Sequence, residues 1–240
     1  MATITKDESY EILDEDISEQ QIQQSIRLGF IRKVYGIISF QLLITTIVVY
    51  LSIYNHFLSR FMVSYPGLVY LFFFGALFTE IPIICCPSVA SQVPLNYVLL
   101  LIFTLCESYL VAYITLFYEP LSVLMCAGIT LALVFGLTLY AIFTKTDMTL
   151  WGGGLACLSV IFFILSIIGI FYRSLFYQTL LNCCGLFLFS IYLMFDVQLV
   201  IGKNKNLIST DQYIVGALMI YIDIISIFIR ILLLFGKKKK

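Results

Sequence analysis

An all-α polytopic membrane protein, built as a bundle of seven helices, is the fold class this sequence predicts, and three observations predict it. Hydrophobic residues make up 61% of the 240 and charged residues only 12%, about half the charged share of a soluble domain. Mean hydropathy is +1.03. Seven apolar runs follow one another along the chain, each near the roughly 20 residues that a helix needs to cross a bilayer. The runs are apolar on every face, whereas a barrel strand alternates over about 10 residues. An ordinary soluble domain, a disordered chain and a nucleic-acid-binding protein are excluded, because the chain lacks the polar surface that each requires.

Residues 1–26 are acidic and Gln-rich, and seven of the 14 acids lie in the first 19 residues. This composition predicts a flexible cytosolic tail. It does not read as a signal peptide, since it is acidic and the first long apolar run begins near Val34; the first span then serves as the targeting signal. Arg27 to Tyr35 is a basic and aromatic approach to the membrane. Spans are read at 34–54, 67–86, 95–117, 121–143, 150–171, 179–201 and 213–235. Turn formers sit between them: Tyr65-Pro66-Gly67, Cys86-Pro87-Ser88, Glu119-Pro120 and Gly202-Lys203-Asn204. Gly152-Gly153-Gly154 opens the fifth span; it lacks the Lys-Ser/Thr of a phosphate loop, so close helix packing is its expected role. The chain thus divides into a tail over 1–26, one helical domain over 27–236 and a polybasic end over 237–240.

Orientation follows from the lysines and arginines. With a cytosolic N-terminus and seven crossings, Lys6, Arg27, Arg32, Lys33, Lys145, Lys203 and Lys205 face the cytosol, and Arg60 and Arg173 face the other side. That distribution favours a cytosolic N-terminus. It leaves Lys237 to Lys240 on the far side, unless the last run is re-entrant and returns them to the cytosol. Seven cysteines fall mostly within apolar runs, none in a CxxC pair, and His56 is the single histidine. The cysteines read as small buried hydrophobes rather than zinc or iron-sulfur ligands. The adjacent pairs Cys85-Cys86 and Cys183-Cys184 are candidates for acylation only near an interface.

Four acids lie inside spans: Glu80, Glu107, Asp196 and Asp223. A charge at the bilayer centre costs about 2.5–3.5 kcal/mol on insertion scales, so an acid there points to function. Asp196 and Asp223 are on consecutive helices, at depths of about 8 and 15 Å from the shared connection at 1.5 Å per residue, which makes contact plausible. Two touching carboxylates in a low dielectric share a proton; when ionised they suit a hard cation such as Ca²⁺, and when protonated they release it. Glu107 extends a possible polar pathway, and Glu80 precedes Pro82, which frees a carbonyl at a pore mouth or simply kinks the helix. Arg230 lies two turns beyond Asp223 and is expected to snorkel rather than neutralise it.

These residues carry a resemblance. Arg27-x-x-Phe30-Ile31-Arg32-Lys33-Val34-Tyr35 with Gln41, Pro94-Leu95-Asn96, Phe103-Thr104-x-x-Glu107, Phe135-Gly136-Leu137-Thr138-x-Tyr140, Phe195-Asp196-x-Gln198 and Ala217-Leu218-x-x-Tyr221-x-Asp223-Ile224-Ile225-x-x-Phe228 occur in that order over about 25–235. Together they resemble the Bax inhibitor motif, or lifeguard, family, and most closely its Golgi anti-apoptotic protein branch. The resemblance implies a central last helix wrapped by the others. It implies that Asp196 and Asp223 form a di-aspartyl pH sensor, that Ca²⁺ is the permeant ion leaking from internal stores, and that apoptosis is suppressed. Lipid, Ca²⁺ and apoptosis regulators or other membrane proteins are the partners it implies, with no cofactor. One departure stands out. Bacterial members of the family carry a latch arginine near the end of the second helix, where this chain reads Ile83-Ile84-Cys85-Cys86-Pro87-Ser88.

Two other functions compete with the cation leak. Intramembrane aspartyl proteases also place one aspartate on each of two consecutive helices, with one carboxylate activating water. They resemble a Tyr-Asp and Gly-x-Gly-Asp pattern followed by Pro-Ala-Leu; here the aspartates stand in Phe195-Asp196 and Tyr221-Ile222-Asp223, and the last proline is Pro120. The expectation is therefore a non-enzyme. A membrane interaction protein that conducts nothing is the remaining alternative. Lys237 and Lys238 resemble a di-lysine retrieval signal, which needs a cytosolic end, or a polybasic lipid anchor at about 1 kcal/mol per base. With the family, they favour Golgi or endoplasmic reticulum.

Overall fold

The computed structural model describes residues 6–202, 208, 209 and 211–239; the turn read at Lys203-Asn204 and the final Lys240 lie outside them. Nine α-helices occur among the described residues. They are α1 (Lys6–Tyr54), α2 (His56–Ser64), α3 (Leu68–Cys85), α4 (Pro87–Ser91), α5 (Leu95–Thr115), α6 (Pro120–Phe143), α7 (Gly152–Phe171), α8 (Leu175–Ile201) and α9 (Tyr213–Phe235), with a 3₁₀ turn at Met148–Trp151. Seven of these are long and apolar enough to cross a membrane, at the places the sequence predicts. The protein is an all-α polytopic membrane protein.

α1 differs from expectation at its start. Its backbone is helical from Lys6, so residues 6–26, read from sequence as a tail, continue the first span as one helix. Glu and Gln are good helix formers, and no proline or glycine interrupts the stretch. Asn55 then ends the span and caps α2, its Oδ1 accepting from Phe57 N at 3.0 Å and Leu58 N at 3.3 Å.

Packing is organised around α5 and α9. Half of the apolar stretch of α5 and 44% of that of α9 are buried, against 11% for the stretch that contains α7. α9 meets α1, α5, α6 and α8, while α7 packs chiefly on α8 and leaves its apolar residues outward. The last helix is therefore central, as the resemblance implies, and it shares that position with α5. One apolar cluster joins α1, α6, α8 and α9 through Val34, Val123, Val197 and Ile227. A second joins α3, α5 and α9 through Ile83, Phe103, Leu218 and Tyr221.

Small residues permit the closest approaches, as expected where lipid offers no hydrophobic drive between helices. Gly185 of α8 is one: a Cβ there would lie 2.8 Å from Phe162 of α7 and 2.9 Å from Arg230 Nε. The Gly152-Gly153-Gly154 run behaves differently from its expected role. Only Gly152 approaches a neighbour, the Phe195 ring; Gly153 and Gly154 have open space. The cysteines are also corrected: Cys106 and Cys126 are buried, but Cys85, Cys86, Cys157, Cys183 and Cys184 are exposed.

The chain end settles how α9 runs. α9 is one unbroken helix of 23 residues, about 34 Å at 1.5 Å per residue and so long enough to span. Beyond Gly236 the chain pairs with the α5–α6 corner. Glu119 N donates to Lys237 O at 2.8 Å and Lys239 N to Phe117 O at 2.9 Å. Lys237 Nζ pairs with Glu119 at 3.0 Å, and Lys237 N donates to Ser122 Oγ at 2.8 Å. The polybasic end thus shares a side with the α5–α6 corner, and the re-entrant alternative has no counterpart in the structure.

Candidate functional site

Asp196 sits on α8, five residues before its end, and Asp223 sits ten residues into α9. The apolar sequence around both makes helix the only backbone that satisfies its own polar groups in lipid. α8 and α9 pack along much of their length, and this antiparallel pairing brings the two carboxyls together. They are 3% and 4% exposed and lie within hydrogen-bonding reach of each other. A hydrogen bond between two carboxyls requires that one holds a proton, so such a pair behaves as a single titrating unit. Asp196 Oδ1 and Asp223 Oδ2 are buried with no other hydrogen-bond partner among the described residues. Buried carboxyl oxygens of this kind suit a proton or a hard cation, although Ca²⁺ takes six to eight oxygens and water or carbonyls must complete the shell. Among the described residues no group of three or more His, Cys, Asp or Glu is placed to hold a metal.

The other acids do not join this pair. Glu80 of α3 and Glu107 of α5 interact electrostatically with each other, and Glu107 also with Tyr221. Tyr221 and Asp223 are two residues apart on α9, about 200° around the helix. α9 therefore separates two acid pairs, one against α8 and one against α5 and α3. Arg230 is likewise placed away from Asp223. Its Nη1 donates to Asn182 Oδ1 at 3.0 Å, and its guanidinium lies over the Phe162 ring at 5.1 Å. It is held between α7 and α8 rather than snorkelling freely. Lys237 is engaged by Glu119 as described, and the Lys238 backbone bridges Tyr118.

Three features escaped the sequence reading. Gln198, 2% exposed, fixes the connection from α6 to the 3₁₀ turn. Its amide donates to Ala141 O at 3.3 Å and Thr146 O at 3.0 Å, and its Oε1 accepts from Met148 N at 2.8 Å. It also borders an open crevice of about 420 Å³ lined by residues 142–147. A hydroxyl network ties α1, α5 and α9: Gln41 Nε2 donates to Thr104 Oγ1 at 2.9 Å, and Thr45 Oγ1 meets Ser108 Oγ at 2.9 Å and Tyr221 Oη at 2.7 Å. Arg27 is the third. The network had a legible signal, since Gln41 and Thr45, and Thr104 and Ser108, are each four apart on one helix face. Tyr221→Phe is expected to cost about 0.5–1.5 kcal/mol, the range of interhelical hydrogen bonds in lipid, read as a lower midpoint in SDS unfolding of the micellar protein. An unchanged midpoint would mean the Thr45 hydroxyl is satisfied by Ser108 alone.

Fold and site together define a class: a seven-span helical membrane protein with a carboxyl pair buried between its last two helices. Residues 27–240 match the family described as Inhibitor of apoptosis-promoting Bax1. The chain is 31% identical to Protein lifeguard 3 of Homo sapiens over 219 residues, 90% of this chain and 70% of that one. It is 33% identical to Protein lifeguard 4 of Mus musculus over 207 residues, 86% of this chain and 84% of that one. The chain belongs to the Bax inhibitor, or lifeguard, family of membrane proteins. The match begins at Arg27 and leaves the acidic residues 1–26 outside it.

Proposed function

We propose that this protein is a pH-sensitive cation leak, with Ca²⁺ as its permeant ion, in Golgi or endoplasmic reticulum membranes, and that lowering stored Ca²⁺ is how it restrains apoptosis. The observation that carries this reading is the buried, interacting pair Asp196–Asp223, in which Asp196 Oδ1 and Asp223 Oδ2 have no other partner among the described residues. In the protonated pair the carboxyls bond each other and hold α8 against α9. Loss of the proton leaves two adjacent charges, which repel unless a cation sits between them. Proton and cation thus compete for one position, and α8 and α9 separate or close accordingly. The family description, Inhibitor of apoptosis-promoting Bax1, supports the anti-apoptotic part. Residues 27–236 form the conducting domain, with the N-terminus cytosolic.

An enzyme is disfavoured because the protease glycine and Pro-Ala-Leu signatures are missing. The reading as a non-conducting interaction protein draws on one specific observation: α9 stands between the two acid pairs, so they do not line a single path in this conformation.

The test is Ca²⁺ efflux from liposomes holding the purified protein, scanned from about pH 5 to 8. Wild type is compared with Asp196→Asn/Asp223→Asn. A pH-dependent leak that the double substitution abolishes or makes pH-independent is the expected result. Efflux no faster than from empty liposomes at every pH would sink the leak and leave the interaction protein.

A further inference from the structure

We infer that Arg27 is a positioning residue, which staples the end of α8 to α1 and thereby sets where Asp196 stands against Asp223. This rests on the carboxyl-pair reading above but is carried by separate observations. The last four carbonyls of a helix have no partner within it. At the end of α8, Gly202 takes a left-handed conformation (φ 75°) and its N–H donates to Gln198 O at 2.9 Å. That satisfies one carbonyl. Arg27 reaches across from α1 for two more: Nη2 donates to Leu199 O at 2.8 Å and Nε more weakly to Ile201 O at 3.4 Å. Its third donor, Nη1, meets Ile208 O at 2.8 Å, in the connection leading to α9. The guanidinium also lies over the Phe30 ring at 4.6 Å. One side chain therefore holds the end of α8 and the approach to α9 at the same time.

Asp196 is three residues before Leu199, less than one helical turn, so the stapled carbonyls and the acid move as one rigid unit.

The experiment uses the full chain in lipid nanodiscs as wild type, Arg27→Gln and Arg27→Lys, each checked for helicity and monodispersity. Amide hydrogen exchange reports the staple, and the infrared band of the protonated carboxyl, identified by its loss in Asp196→Asn/Asp223→Asn and read at one fixed acidic pH, reports how the two carboxyls meet. Arg27→Gln is expected to speed exchange of peptides covering 199–202 and 208–212 by at least about tenfold. It is also expected to shift the frequency of the carboxyl band, because the two acids no longer meet as in wild type. Arg27→Lys keeps the charge but cannot span three carbonyls, so it should speed exchange and shift the band as Arg27→Gln does. Wild-type exchange in Arg27→Gln would overturn the staple. Faster exchange with an unmoved band in Arg27→Gln would overturn its action on the acids. Neither readout uses ion flux, so a protein that shows both effects yet leaks no Ca²⁺ refutes the leak and not this inference.

Discussion

Gly185→Leu is expected to destabilise the helical domain by about 2–3 kcal/mol, the upper range of overpacking in a well-packed interior. The first added carbon would already sit 2.8 Å from Phe162 Cζ, 3.2 Å from Phe162 Cε2 and 2.9 Å from Arg230 Nε. A flexible arginine alone could yield to such a contact. Here it cannot do so cheaply, because Arg230 is fixed by Asn182 on one side and the Phe162 ring on the other. Moving it leaves the buried Asn182 amide unpaired and a guanidinium searching for partners within a span, where few exist. Three further carbons of leucine then push α7 from α8, and α7 has little else to pack on. Gly153→Leu and Gly154→Leu are the controls. Both positions are open, and leucine is the better helix former by about half a kcal/mol or more, so neither should lower stability. The measurement is the SDS unfolding midpoint of each variant. Equal midpoints for Gly185→Leu and Gly153→Leu would show that α7 is not held by this contact.

The span count was legible because lipid removes the usual ambiguity: a run apolar on every face, about 20 residues long, has helix as its only self-satisfied form. The contact of Asp196 with Asp223 was legible for a related reason. Consecutive spans joined by a short connection run antiparallel, and residue counts from that connection give depth directly. What was not legible is rotational. Depth alone suggested that Glu107 could extend one polar pathway with the aspartates, but Tyr221 and Asp223 face opposite sides of α9, and the glutamates fall on the other side. Nothing in an all-apolar helix marks which face meets which neighbour. The triple glycine failed for the same reason, since a small residue permits a close approach without requiring one. The partners of Arg27 are backbone carbonyls, which every residue carries, so no side-chain pattern could announce them. The helical start of α1 at Lys6 followed from ordinary helix propensity that the charge-based reading outweighed.

Replacing either aspartate alone by leucine should cost more than replacing both, and this inversion is the sharpest test of the carboxyl pair. In Asp223→Leu the Asp196 carboxyl stays buried and loses its partner; a polar group stranded in this way costs about 1–3 kcal/mol, and more if it is charged. Asp196→Leu does the same to Asp223. In the double variant no polar group is left behind, and two apolar side chains occupy a seam already lined by the buried Val197 and Ile220 and the partly buried Ile224. Buried ionisable pairs replaced by packed hydrophobic residues are often neutral or stabilising. The cycle of wild type, two singles and the double should therefore give a coupling energy of about 2 kcal/mol or more, with the double near wild type in its SDS midpoint. Additive losses would show that the two carboxyls do not act as a unit and would remove the physical basis of a shared cation position. An inverted order has a further implication. A chain that gives up nothing in stability by losing both acids, each costly to insert in a bilayer, keeps them for a reason other than folding.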